Sequence, residues 1–147
     1  MTMDAFRLFQ LASQGFCCSQ ILLILGLDAM GKENPDLVRA MHGLCGGMGK
    51  SGGACGALTG GACLIGLHAG KGAAGEQPDP EVNAMVQELL DWFDGTYQTR
   101  ECQGILDYKL ELDSEYPVQC GNIISDTYHK VMGILEAHRN QGESEDS

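Results

Sequence analysis

The sequence predicts an all-α fold, a single-domain helical bundle with a Gly-rich loop. Three observations predict it. Apolar residues recur at the three- and four-residue spacing of a buried helix face along most of the chain. No segment sustains the alternation expected of a strand. Thirteen of the 21 glycines crowd between Gly43 and Gly75, so the glycine excess answers a local backbone requirement. At 147 residues the chain is one ordinary domain long and can bury a core without disulfide staples. Residues 1–139 are expected to form the domain and 140–147 an acidic, flexible tail.

The first helix, 4–13, puts Ala5, Leu8, Phe9 and Ala12 on one face and stops at Gly15. Cys17-Cys18-Ser19-Gln20 opens a second helix, 19–30, whose Ile-Leu-Leu-Ile-Leu run implies burial on most sides. Asn34-Pro35-Asp36 reads as an N-cap with Pro in the first turn and launches 36–44. In the loop 45–53, Gly46, Gly47, Gly49, Gly52 and Gly53 admit positive φ and a close approach to another group. Small apolar residues then predict a helix over 54–68, with Gly56 and Gly60 forming a flat face. Residues 71–80 are a linker. Val82, Met85, Val86, Leu89, Leu90 and Phe93 mark an amphipathic helix over 80–93, with Trp92 and Tyr97 as core or rim aromatics. A short helix over 100–106 and an irregular connection over 107–117 precede the last helix, 120–136. Its apolar face is Ile123, Ile124, Tyr128, Val131, Ile134 and Leu135.

Nine basic residues against 20 acidic ones give a net charge of -11, which repels phosphate backbones and anionic membranes. Nucleic acid is therefore not expected as a partner, whereas an acidic surface suits a basic redox partner, whose identity the residues do not give. The first 14 residues carry Asp4 and Arg7 and lack a secretory pattern, so cytoplasmic residence is expected. Residues 51–70 hold no formal charge, but seven of these 20 are Gly and bulky apolar residues are few, so no membrane span is expected. In a reducing compartment an odd set of seven Cys reads as thiols, ligands or redox groups rather than a static disulfide framework.

No Cys-x-x-Cys or Cys-x-x-Cys-His is present, which excludes covalent haem, so any sulfur site must be assembled by the fold. Cys55 and Cys63 stand about 12 Å apart along a helix and cannot share a compact site. Cys55 begins its helix, where the dipole should lower its pKa, while Cys63 reads as a small buried hydrophobe. Adjacent Cys17 and Cys18 point about 100° apart, so one of them at most faces a given site. Cys18, Cys55, Cys102 and Cys120 each lie near a helix start, where negative sulfur is favoured. Four such termini, if they converge, suit either an iron-sulfur cluster or a pair of reactive dithiols. Cys45 lies at a helix end before glycines.

These elements, Gly-x-Cys-Cys-Ser-Gln, Cys55-Gly56-Ala57-Leu58-Thr59-Gly60-Gly61, Arg100-Glu101-Cys102 and Cys120 before an Ile-rich helix, resemble the redox-active family named for its pattern C_GCAxxG_C_C. The resemblance runs from Gly15 to Leu135 and implies a small helical protein whose four characteristic cysteines are Cys18, Cys55, Cys102 and Cys120. Split-Soret cytochromes are similar in this cysteine arrangement and carry an iron-sulfur centre beside their haems, so the resemblance implies the cluster part alone.

Other motifs are weak. The four histidines lack the i, i+4 pairing of a metallohydrolase, and the Gly49-Lys50-Ser51 ending of a phosphate loop lacks both its preceding strand and its first Gly, Leu44 standing there. The leading expectation is an electron-transfer protein with an iron-sulfur centre, 2Fe-2S being one candidate form, on Cys18, Cys55, Cys102 and Cys120. The loop would wrap it, and Gly53, Gly56 and Gly60 would lie against it. An alternative is a metal-free thiol/disulfide relay in which Cys55 attacks and Cys18 partners it. A third is a non-catalytic helical interaction module, homodimeric through the Gly56/Gly60 face.

Overall fold

The computed structural model describes residues 3–108, 111 and 118–145. Among them are seven α-helices and no strand: α1 (Met3–Ser13), α2 (Cys18–Ala29), α3 (Pro35–Met41), α4 (Gly56–Ala69), α5 (Val82–Tyr97), α6 (Cys102–Leu106) and α7 (Val118–Glu145). The all-α expectation holds. A short 3-10 turn, His42–Leu44, replaces the end expected for the third helix. The last helix overruns its expected 120–136, because no proline follows Pro117 to stop it. Of the expected irregular connection, 109–110 and 112–117 lie outside the described residues.

Local chemistry explains the helix starts. Pro35 occupies the first turn of α3, and Asn34 Oδ1 accepts a hydrogen bond from the Leu37 N–H at 3.1 Å. At the start of α2, Gln20 Oε1 accepts from the Cys17 N–H at 3.2 Å, while Gln20 Nε2 donates to the Val38 carbonyl and ties α2 to α3.

The centre of the domain is α2, whose apolar run buries Ile21, Leu22, Leu23, Leu25 and Leu27. Leu22 packs with Leu64 and Ile65 of α4, Leu89 and Phe93 of α5 and Val131 of α7, while Leu23 and Leu27 meet Met41 on the other side. Each such side chain contributes about 1.5–3 kcal/mol when removed from water. Glycines set how closely these helices approach. A methyl on Gly60 would stand 3.1 Å from the Ser19 Cα and carbonyl oxygen, and one on Gly61 would stand 3.1 Å from Leu89 and Val131. The Gly56/Gly60 face expected to pair two copies is therefore covered by α2 of the same chain, which needs apolar partners on every side. Gly60 serves that helix crossing.

Among the described residues no helix is long and apolar enough to cross a membrane. The uncharged stretch 51–70 is divided between the loop and the 14 residues of α4, whose Leu64 and Ile65 are inside the protein.

Candidate functional site

The cysteines are brought together by a backbone clip between two distant segments. The Cys55 N–H donates to the Arg100 carbonyl at 2.7 Å, and the Cys102 N–H donates to the Gly53 carbonyl at 2.6 Å, on either side of an antiparallel bridge between Ala54 and Glu101. A third bond, Gln103 N–H to the Gly52 carbonyl at 3.2 Å, extends it. Arg100 is fixed in turn by a two-pronged pair with Asp94, both contacts at 2.8 Å. The Gln119 side chain donates to the Ile105 carbonyl, which ties the start of α7 to α6, and Cys120 packs with Cys102 and Leu106. Cys18 arrives from α2, where Gly56 leaves room for its sulfur: a methyl there would overlap Cys18 Sγ. Gly56 is thus a neighbour of a site sulfur, and Gly53 holds Cys102 through its carbonyl.

The loop that delivers Cys55 winds with left-handed backbone. Gly46, Gly47, Met48, Gly49 and Lys50 follow one another with φ between 60° and 76°. The turn closes through Lys50 N–H to the Cys45 carbonyl (2.9 Å), Gly52 N–H to Gly46 (3.1 Å) and Gly53 N–H to Gly47 (3.1 Å). Each L-residue in this conformation costs about 1–2 kcal/mol, which is why glycines dominate it. The winding aims the Gly46 amide at the Cys18 sulfur, joined there by the amides of Ser19, Cys18 itself and Gly56.

Burial governs the ionisation of these four thiols, and the charges of some add to it at others. Burial raises the Cys18 pKa against the pull of those amides. Cys55 is pushed up to about 12, first by burial, then by the charge of Cys18, with Cys102 adding to it, while the amides of Ala57 and Leu58 lower it. Cys120 is also pushed up to about 12, by burial and then by the charges of Cys18, Cys55 and Cys102. Cys102 is raised by burial and then by Cys18. The expectation that the start of α4 makes Cys55 a low-pKa thiol is corrected: loss of water outweighs the helix dipole here. A raised thiol pKa favours the protonated form in the folded state. Its stabilisation is complete below the unfolded value near 9 and declines as pH climbs toward 12. The urea midpoint of the reduced, metal-free protein should accordingly fall between pH 8 and pH 10, and fall less in a Cys55→Ala variant. A midpoint with equal pH dependence in both would contradict this.

Three cysteines lie apart from this group. Cys17 and Cys45 form a disulfide across 28 residues with Cα atoms 5.8 Å apart, each only 4% exposed. The expectation of thiols, ligands or redox groups rather than a static disulfide framework did not single out this pair, because contact between a helix start and a distant loop leaves no spacing signal. The expectation that Cys17 and Cys18 face different ways holds: one pairs with Cys45 and the other faces the four-sulfur group. Cys63 is exposed on α4, against its expected burial, because the α4 faces toward α2, α5 and α7 are filled by Gly60, Gly61, Leu64 and Ile65. A single thiol, Cys63, should therefore react rapidly with maleimide in the folded protein, and Cys63→Ser should abolish that phase, as followed by mass spectrometry.

Among the described residues no group of three or more His, Cys, Asp or Glu side chains is placed to hold a single metal ion. A cleft of about 440 Å³ between α1, α2 and α3, lined by Arg7, Phe16, Gln20, Ile24 and Val38 among others, is a separate feature that periodicity does not reveal.

No curated protein and no solved structure matches the chain. A family model does, over residues 16–134, a span that includes all seven cysteines and the clip that joins Cys55 to Cys102. The chain belongs to the family described as "Putative redox-active protein (C_GCAxxG_C_C)".

Proposed function

We propose that Cys18, Cys55, Cys102 and Cys120 together ligate an iron-sulfur cluster and that the protein is an electron carrier. The observation that supports this reading is the convergence of four helix starts: the clip joins Cys55 to Cys102, Cys120 packs with Cys102, and Gly56 makes room for the Cys18 sulfur beside Cys55. The donor set fits such a group: four sulfurs beside directed backbone amides are the ligands and hydrogen-bond donors that clusters take. A bound cluster supplies reversible one-electron chemistry. The protein's own residues do the rest. Backbone amides from Gly46, Ser19 and Gly56 favour negative charge on Cys18, and the surrounding core excludes water. Thiols that hold their protons at neutral pH must release them on ligation, so affinity rises with pH. The acidic surface suits a basic redox partner.

A metal-free relay through Cys55 and Cys18 is the second reading, and burial, which raises both thiols, slows it at neutral pH because the thiolate is the attacking species. Anaerobic purification or reconstitution, followed by visible absorption and by iron and acid-labile sulfide analysis, tests the proposal. The expected result is a coloured protein with stoichiometric iron and sulfide. Colourless protein whose four thiols cycle reversibly in a redox buffer would replace it with the relay, and colourless, redox-silent protein would reject both.

A further inference from the structure

The Cys17–Cys45 pair lies outside the four-sulfur group, yet each member is next in sequence to part of it. Cys17 precedes Cys18, and Cys45 precedes Gly46, whose amide faces Cys18. The pair also anchors both ends of the geometry that matters: Cys17 caps α2, and the Cys45 carbonyl closes the left-handed turn by accepting from Lys50.

Ser19 places an oxygen against both sulfurs of the pair. Its fully buried hydroxyl donates its one proton to the Met41 carbonyl at 2.8 Å. The same oxygen stands 3.4 Å from Cys17 Sγ and 3.6 Å from Cys45 Sγ, where only its lone pairs remain. A disulfide sulfur has no hydrogen to offer those lone pairs. A thiol does, so reduction produces a donor in front of an acceptor that already waits for it.

We propose that Cys17–Cys45 is a second, two-electron redox centre, and that its state is passed to the four-cysteine site through the adjoining Cys18 and Gly46. The reductant is a dithiol. One of its thiolates attacks a sulfur of the pair and forms a mixed disulfide, and the other sulfur leaves as a thiolate that takes a proton. The second thiolate of the reductant then closes its own disulfide and releases the remaining cysteine as a thiol. Two electrons and two protons pass from the dithiol to Cys17 and Cys45, and the dithiol ends as a disulfide. Because both sulfurs are buried, exchange requires the 46–53 turn to open, so it is slow in the native protein. This inference does not depend on what the four cysteines bind.

The test equilibrates the full-length protein in buffers of reduced and oxidised dithiothreitol, followed by acid quench, alkylation and mass spectrometry of each cysteine. The expected result is reversible, two-electron interconversion of Cys17 and Cys45 with helical circular dichroism retained. Alkylation of native Cys18 and Cys102 should be at least tenfold faster in the reduced form. The Cys17→Ser/Cys45→Ser double variant should show the fast rates in every buffer. Ser19→Ala, which removes the acceptor, should shift the midpoint toward the disulfide. A pair that opens only when the protein unfolds, two free thiols in oxidising buffer, or reduction that leaves the Cys18 and Cys102 rates unchanged would overturn the proposal. Iron content plays no part in the readout, so this result and that of the cluster experiment are independent.

Discussion

Gly47→Ala is expected to lower stability by about 3 kcal/mol, the larger part of it from a collision rather than from φ. Gly47 has φ 76°, which costs an alanine about 1–2 kcal/mol. Its new methyl would also lie within 3 Å of the Gly53 nitrogen and carbonyl oxygen, backbone atoms that cannot swing aside. The Gly53 carbonyl receives the Cys102 N–H, so relief of the collision pulls on the clip between Cys55 and Cys102. For a domain of this size the loss corresponds to a fall in Tm of roughly 6–12 °C. Gly49→Ala is the control. Its φ is 61°, but nothing stands within 4 Å of the added carbon, so it should cost about 1 kcal/mol. Thermal unfolding of the two variants side by side decides the matter, and equal losses would show that the packing of the loop on itself contributes nothing.

Gly56→Ala should do the reverse, sparing the fold and damaging the site. The added methyl would overlap Cys18 Sγ, the far end of a side chain with one rotatable bond. The sulfur turns away from the Gly46 and Gly56 amides, at a stability cost of about 1 kcal/mol for a rotamer change in a packed environment. On the proposed ligation, cluster content in reconstituted protein should then drop to the level of Cys18→Ser, whereas Cys63→Ser should retain it fully. Iron and sulfide contents of the three variants check this, with circular dichroism to confirm folding. Undiminished content in both Gly56→Ala and Cys18→Ser would remove Cys18 from the ligand set.

Much of this arrangement was legible from residue order. Periodicity located the helices because a half-buried helix must repeat its apolar positions, and the Asn34-Pro35 start and the glycine stops marked their ends, but the face expected for α1 is corrected: Phe9 and Ala12 are exposed, because α1 turns Leu8 and Leu11 to the core. The placement of Cys55, Cys102 and Cys120 near helix starts was legible, and the structure ties the first two by the backbone clip and packs the third against Cys102. What stayed hidden depends on contacts across the fold. The ionisation of Cys55 could not be judged from its place at the start of α4, because the decisive influence is loss of water on burial. The burial of Cys63 was misjudged because a helix rich in small apolar residues gives little indication of which side faces out. The Cys17–Cys45 pairing rests on the path of a left-handed loop, which glycine content permits without specifying.

The bridge between Ala54 and Glu101 spans 47 positions of chain, and that separation bears on the order of assembly. Neighbouring α2 and α4 can pair early and set two sulfurs in place, while α6 docks only after the intervening α5 has folded back and closed a long loop. The nascent protein would thus pass through a stage with half of its sulfur donors in position and the other half still on free chain. On the proposed ligation, that open stage would let the inorganic group enter before α6 and α7 close over it.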